Sequence, residues 1–150
     1  MAVYKLDINE CEDEAYDLLG IHTTLECYHL AYFLNRELNL LLKRIDFLPE
    51  FDFYEFNDLK NQTQWNLVAN KGVREITQSS SVQESLFQLE STEVVYLVPE
   101  YKKVDYLVKV SQNTLEVQKL IAKMKVIPQI ITTFAIDASN LKSKHNLIFY

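Results

Sequence analysis

Apolar and polar residues alternate along this chain with two different periods, and the change of period marks the predicted elements. Segments with a period of two, or with short apolar runs rich in aromatic and β-branched residues, are typical of strands. They are predicted at residues 2–8, 16–22, 51–56, 64–69 and 130–136, with shorter candidates at 86–89 and 147–149.

Two segments with a period of 3.6 predict helices. In the first, Thr23 is in position to cap the helix and Glu26 to complete a capping box, so the helix is expected to run to about Leu38. In the second, Asn113 is predicted as the cap, apolar residues repeat at i, i+3, i+4 and i+7, and Pro128 ends the segment.

Two residues break the pattern of the first helix. Asn35 falls within the apolar arc, so its amide needs either nearby backbone groups or a ligand as partner. Phe33 falls on the same side as Glu26 and Glu37, which predicts an exposed ring: either a scattered surface residue or a docking position.

The stretch VPEYKKVDY separates two strand-like segments at 94–98 and 104–110. An antiparallel hairpin that pairs Val98 with Val104 would give one wholly apolar face, so this register is predicted, with Tyr106 opposite Tyr96.

Inside that predicted loop, Pro99 would end the first strand because it lacks an amide hydrogen. Asp105 is predicted to close the loop by accepting hydrogen bonds from the amides of residues 100–103. The alternative is that Glu100 and Asp105 form an acid/base pair, but no Cys, His or Ser is placed to complete a catalytic site.

Together these elements predict an α+β protein with one globular domain over residues 1–150. The expected architecture is an antiparallel sheet of about five to seven strands, with a mixed sheet as the alternative, and two main helices packed on one face.

The composition narrows the function classes. With only two glycines, the chain contains no glycine-rich phosphate loop, and its two cysteines and three histidines show no metal-ligand spacing, so neither cofactor nor metal is expected. The net charge of −6 combines −11 over residues 1–100 with +5 over residues 101–150. Nucleic acid is therefore disfavoured as a partner, although the basic third leaves an RNA-associated role open.

No apolar stretch is long enough to span a membrane, and no secretory signal is visible, so a cytoplasmic protein without membrane contact is expected.

The motif Val98-Pro99-Glu100, three residues, then Val104-Asp105-Tyr106 resembles the signature of the IPExxxVDY family of small bacterial proteins, with Val in place of the leading Ile. The segments 19–38 and 135–149 extend the resemblance. It implies neither an activity nor a ligand, and it transfers no catalytic or binding residue.

Three functions are compatible with these features. The leading hypothesis is a non-catalytic protein-interaction module that self-associates, most simply as a homodimer, or binds another protein. The second is a small-molecule-binding protein or enzyme with a pocket near Asp105, Glu100 and Asn35, with Tyr106 and Phe33 as further candidate binding residues. The third is an RNA-associated accessory protein that uses the basic residues of the C-terminal third.

Overall fold

A computed structural model describes residues 15–76, 91–111 and 116–149 of the chain. The strands predicted at 2–8 and 86–89 and the predicted cap Asn113 lie outside these residues. All statements on the fold below refer to the described ranges.

Eight strands and two helices make up the described part of the chain. The strands are β1 (Tyr16–Thr23), β2 (Lys43–Arg44), β3 (Phe53–Asp58), β4 (Thr63–Ala69), β5 (Lys71–Ile76), β6 (Ser91–Tyr96), β7 (Tyr106–Ser111) and β8 (Ile130–Ile136). The helices are α1 (Cys27–Leu38) and α2 (Val117–Lys125). Short 3₁₀ turns at Pro99–Tyr101, Ala138–Asn140 and Lys144–Leu147 complete the description.

Six strands form one antiparallel sheet in the order β2-β3-β4-β7-β1-β8, while β5 and β6 form a separate antiparallel ribbon. The predicted α+β class with a mainly antiparallel sheet and two main helices is confirmed. Most residues of the central strands β4, β7 and β1 are buried, on both faces of the sheet, which fits strands that are covered from both sides.

Each face of the six-stranded sheet has its own apolar core. On one face, α1 and α2 pack Leu30, Leu34 and Met124 against Leu67 and Val108 of the sheet. The other face is covered by segments that contain no long helix. The buried residues of this second core include Val98, Val104, Leu141 and Leu147. The two helices thus share one face, as predicted.

The predicted hairpin between residues 94–98 and 104–110 is wrong. Instead, β6 pairs with β5, and β7 lies between β4 and β1. β7 is mostly buried on both faces, as is usual for a strand in the middle of a covered sheet. β5 was missed because Lys71, Arg74 and Glu75 interrupt its apolar pattern.

The boundaries of two further elements also differ from the predictions. Thr23 is the last residue of β1 rather than a helix cap, and α1 begins after Glu26, whose side chain makes no capping hydrogen bond. Thr23 belongs to the strand because its hydroxyl donates to the carbonyl oxygen of Gln129, 2.8 Å away. The predicted strand at 147–149 is also wrong, since Lys144–Leu147 is a 3₁₀ turn.

In the described part of the chain, neither helix combines the length and the apolar character that crossing a membrane would require.

Candidate functional site

The side chain of Asn70 organises the VPEYKKVDY stretch. Asn70 follows β4 and is fully buried, and its Nδ2 donates to the carbonyl oxygens of Tyr101 (2.8 Å) and Val104 (3.1 Å). Its Oδ1 accepts from the amide of Val98 at 2.8 Å. A single amide from a distant part of the sequence therefore takes the role that was predicted for Asp105, because it satisfies the buried backbone groups of the turn.

Asp105 binds β1 rather than the loop. Its Oδ2 accepts from the amide of Thr23 at 3.0 Å, and Nδ1 of His22 lies 3.8 Å from the same oxygen. The amide of Asp105 donates to the carbonyl of Ile21 at 3.0 Å, which continues the β1–β7 ladder by one residue. The prediction that Asp105 accepts from the amides of residues 100–103 is thus wrong, since the ladder turns its carboxylate toward the end of β1.

Glu100 contacts the C-terminal segment. Its Oε2 accepts from the hydroxyl of Ser143 at 2.9 Å and lies 3.5 Å from the amide nitrogen of Ser143, which is itself buried. The two acids of the motif therefore bind two different parts of the chain, and each one holds a segment in place.

Tyr106 is the one motif residue that lines a cavity beside the start of α1. Its hydroxyl donates to the carbonyl of Leu25 at 2.7 Å, which fixes the chain just before the helix. The cavity has a volume of about 310 Å³ and is also lined by Cys27, Arg44 and Tyr54. Neither Glu100, Asp105 nor Asn35 borders it.

Burial sets the protonation of the groups around this cavity. Desolvation, followed by the nearby charge of Asp52, raises the pKa of the Cys27 thiol to about 12, although Arg44 opposes the shift. Burial, followed by the proximity of Cys27, also raises the pKa values of Tyr54 and Tyr106. At neutral pH the thiol and both phenols therefore carry their protons, so Cys27 is not an activated nucleophile.

Asn35 and Phe33 lie on α1, and both contact other residues of the chain. Asn35 accepts from the amide of Leu42 at 2.8 Å and donates to its carbonyl at 3.3 Å, so backbone groups satisfy its amide. Phe33 was predicted to be exposed, but its ring is half-buried against the helix-side core, with the guanidinium of Arg36 5.1 Å from the ring centre.

The β5–β6 ribbon presents a second candidate surface. Val73 and Val94 are direct cross-strand partners, and 54% and 49% of their respective surfaces are exposed. Lys71 and Glu75 lie on the same side of β5 as Val73, because side chains alternate along a strand. We call the face formed by Lys71, Val73, Glu75 and Val94 the ribbon face.

Sequence reasoning missed Asn70, Arg44 and Tyr54. Asn70 stands at the end of the apolar run of β4, immediately before Lys71-Gly72, which marks a strand end but not a buried amide. Arg44 and Tyr54 become neighbours only through the β2–β3 register, in which they are directly opposite.

No protein-family model, curated protein or solved structure matches the chain. Among residues 15–76, 91–111 and 116–149, no cluster of His, Cys, Asp and Glu side chains could hold a metal ion.

Proposed function

We propose that the protein is a non-catalytic interaction module that forms a two-fold homodimer through the ribbon face. The observation that carries the proposal is the exposed Val73–Val94 pair on a two-stranded ribbon that is separate from the main sheet. Membership of the IPExxxVDY family is part of the same proposal and rests on the motif.

The opposite side of the ribbon is held by the body of the protein. The amide of Val73 donates to the carbonyl of Glu50 at 3.3 Å, and Arg74 pairs with the Glu50 carboxylate at 3.3 Å. Gly72 lies so close to Glu50 and Phe51 that a Cβ atom would overlap both. These contacts fix the ribbon in one orientation, so the ribbon face is a preorganised surface.

The charges on the ribbon face favour a second copy of the same chain as the partner. Lys71 and Glu75 flank Val73 symmetrically on β5, and neither has an ion-pair partner within the described ranges. A two-fold axis through Val73 would place Lys71 of each copy opposite Glu75 of the other. Such pairs add little affinity at an exposed rim, but they set the register of the apolar contact.

Analytical ultracentrifugation at micromolar concentration tests the proposal. The wild-type chain is expected to sediment with twice its mass of 17.6 kDa. Val94→Lys is expected to be monomeric, because it places a charge in the apolar centre of the contact. The matched control is Val126→Lys, at a valine that is 68% exposed and lies outside the ribbon, which is expected to leave the dimer intact.

A charge exchange tests the arrangement itself. Lys71→Glu is expected to weaken the dimer, since each Glu75 would then face a like charge, and the double change Lys71→Glu with Glu75→Lys is expected to restore it. A monomeric wild-type chain, or a dimer that Val94→Lys leaves unchanged, would overturn the proposal. Failure of the charge exchange alone would reject the two-fold register.

A further inference from the structure

The six-stranded sheet ends in two edge strands of different kinds. One edge is β2, which consists of Lys43 and Arg44, both charged and exposed. The other edge is β8 (Ile130–Ile136), in which no residue is charged and none is proline or glycine. Short charged edges resist pairing with further strands, whereas a long uncharged edge is open to it. Of the two edges, β8 is therefore the one that can accept another strand.

Alternate backbone groups of β8 face away from the sheet. Ile21 of β1 uses its carbonyl oxygen to accept from the amide of Asp105, on the side of β7. In an antiparallel pair, a residue whose backbone groups point away from the neighbouring strand lies opposite a residue whose groups also point away. Thr133 lies opposite Ile21, and Ala135 follows two residues later on β8. The amides and carbonyls of Thr133 and Ala135 therefore face outward, where no strand of the described ranges pairs with them.

A cavity of about 400 Å³ lies at the end of this edge. Ala135 and Ile136 of β8 line it, together with Val117 of α2 and Ile148 near the end of the chain. A cavity of this size accommodates a large side chain of a bound partner. Sites that add a strand to a sheet obtain affinity from main-chain hydrogen bonds and specificity from pockets for individual side chains. The β8 edge and the cavity supply one feature of each kind.

The surroundings of the edge are basic. Residues 116–149 contain five lysines and two acids, Glu116 and Asp137, so their net charge is +3. The lysines have no ion-pair partner in the described ranges: Lys119, Lys123, Lys125, Lys142 and Lys144. Three of them belong to α2, which packs against β8, and Lys144 lines the cavity. Pairing with β8 of a second copy would bring two basic surfaces together, whereas an acidic segment is attracted.

We propose that the β8 edge binds an extended acidic segment of another protein as an additional strand. Main-chain hydrogen bonds to Thr133 and Ala135 hold the segment, and one of its side chains enters the cavity. Its acidic residues lie near Lys144 and the lysines of α2. The β8 edge belongs to the main sheet and is separate from the ribbon face, so a dimer through the ribbon face would carry one such site in each copy.

Hydrogen exchange followed by NMR tests whether the edge is open. In the free ¹⁵N-labelled protein, the amides of Thr133 and Ala135 are expected to exchange more than about tenfold faster than those of Phe134 and Ile136, which face β1. Equal protection of all four amides would show that another part of the chain already covers the edge, and it would overturn the proposal.

A phage-displayed library of random ten-residue peptides supplies the probe. The wild-type chain is expected to select peptides that combine alternating β-branched residues with acidic residues. The best peptide, synthesised and titrated, is expected to protect the amides of Thr133 and Ala135 from exchange. The same peptide is also N-methylated at every second residue, in each of the two possible patterns. Only one set of its amides faces β8, so one pattern is expected to weaken binding about tenfold or more and the other to have little effect.

Two variants assign the contacts. Ala135→Pro removes an outward amide and is expected to weaken binding about tenfold while the chain still folds, because proline is tolerated where the amide of an edge strand faces solvent. Lys144→Glu is expected to weaken binding about tenfold and to make it less dependent on salt. Lys142→Glu is the matched control, since Lys142 is also exposed in the same segment but does not line the cavity, and it is expected to bind nearly as well as the wild type.

Four results would each overturn the proposal besides equal amide protection. They are the selection of no peptide, equal effects of the two N-methylation patterns, undiminished binding by Lys144→Glu, and dimerisation of Val94→Lys that Ala135→Pro abolishes, which would assign the edge to a second copy. Val94→Lys disables the ribbon face and is expected to bind the same peptide, so failure of the dimer leaves this outcome unaffected.

Discussion

Asn70→Ala is expected to lower the free energy of unfolding by about 3–5 kcal/mol. The change removes three hydrogen bonds of 2.8, 2.8 and 3.1 Å from one fully buried side chain. It leaves the amide of Val98 and the carbonyls of Tyr101 and Val104 without this partner, and each unpaired buried group costs about 1–3 kcal/mol. We take the lower part of the summed range because water can reach the partly exposed Tyr101.

Urea unfolding followed by tryptophan fluorescence measures this loss, because Trp65 is the single tryptophan and is buried. The matched control is Asn66→Ala, within strand β4, which Asn70 directly follows. Asn66 is also buried, at 2% exposed, but its Nδ2 has no hydrogen-bond partner in the described ranges. Its replacement is expected to cost at most about 1–2 kcal/mol. Equal losses for the two variants would refute the role given to the Asn70 hydrogen bonds.

Three further predictions concern single residues. Asp105→Asn keeps an acceptor for the amide of Thr23 and is expected to lower the free energy of unfolding by less than about 1 kcal/mol. Asp105→Ala leaves that amide unpaired and is expected to lower it by about 1–2 kcal/mol. Equal urea midpoints for the two variants would contradict this role of the carboxylate. Gly72→Ala is expected to cost about 1–3 kcal/mol in thermal unfolding because its Cβ would overlap the Glu50 carbonyl, and an unchanged midpoint would show that the contact is loose. Because burial raises the pKa of the Cys27 thiol, the stability that the protonated thiol contributes is fully present below pH 9. This contribution is expected to fall by roughly 1.4 kcal/mol per pH unit as the pH rises from 9 toward about 12. Urea unfolding of Cys27→Ala should therefore show a shallower alkaline loss of stability than the wild type, and identical slopes would exclude this thiol as the cause.

Periodicity predicted those elements whose partners do not need to be known. β1, β8, α1 and α2 were all recognised, because the spacing of apolar residues within each segment is sufficient to predict which side of the element is buried. β7 was also recognised as a strand, but its partners were not. A period of two gives the buried faces of a strand and contains no information on which strand lies beside it.

The candidate site shows the same limit more strongly. The partner of Asp105 is 82 positions away and lies on a strand whose position in the sheet was not known. Asn70 looks like an ordinary strand-end residue in the sequence, and its importance results from the place where the sheet brings it.

The position of β1 between β7 and β8 has a consequence for folding. The hydrogen bond from Thr23 to Gln129 joins residues 106 positions apart, and the ladders on both sides of β1 involve only strands that follow it by a similarly long stretch of chain. During synthesis, an apolar strand with two unpaired edges must therefore wait until β7 and β8 leave the ribosome. Contacts of this range slow folding and leave a nascent chain prone to aggregation, so β1 is the segment that a chaperone is most expected to protect.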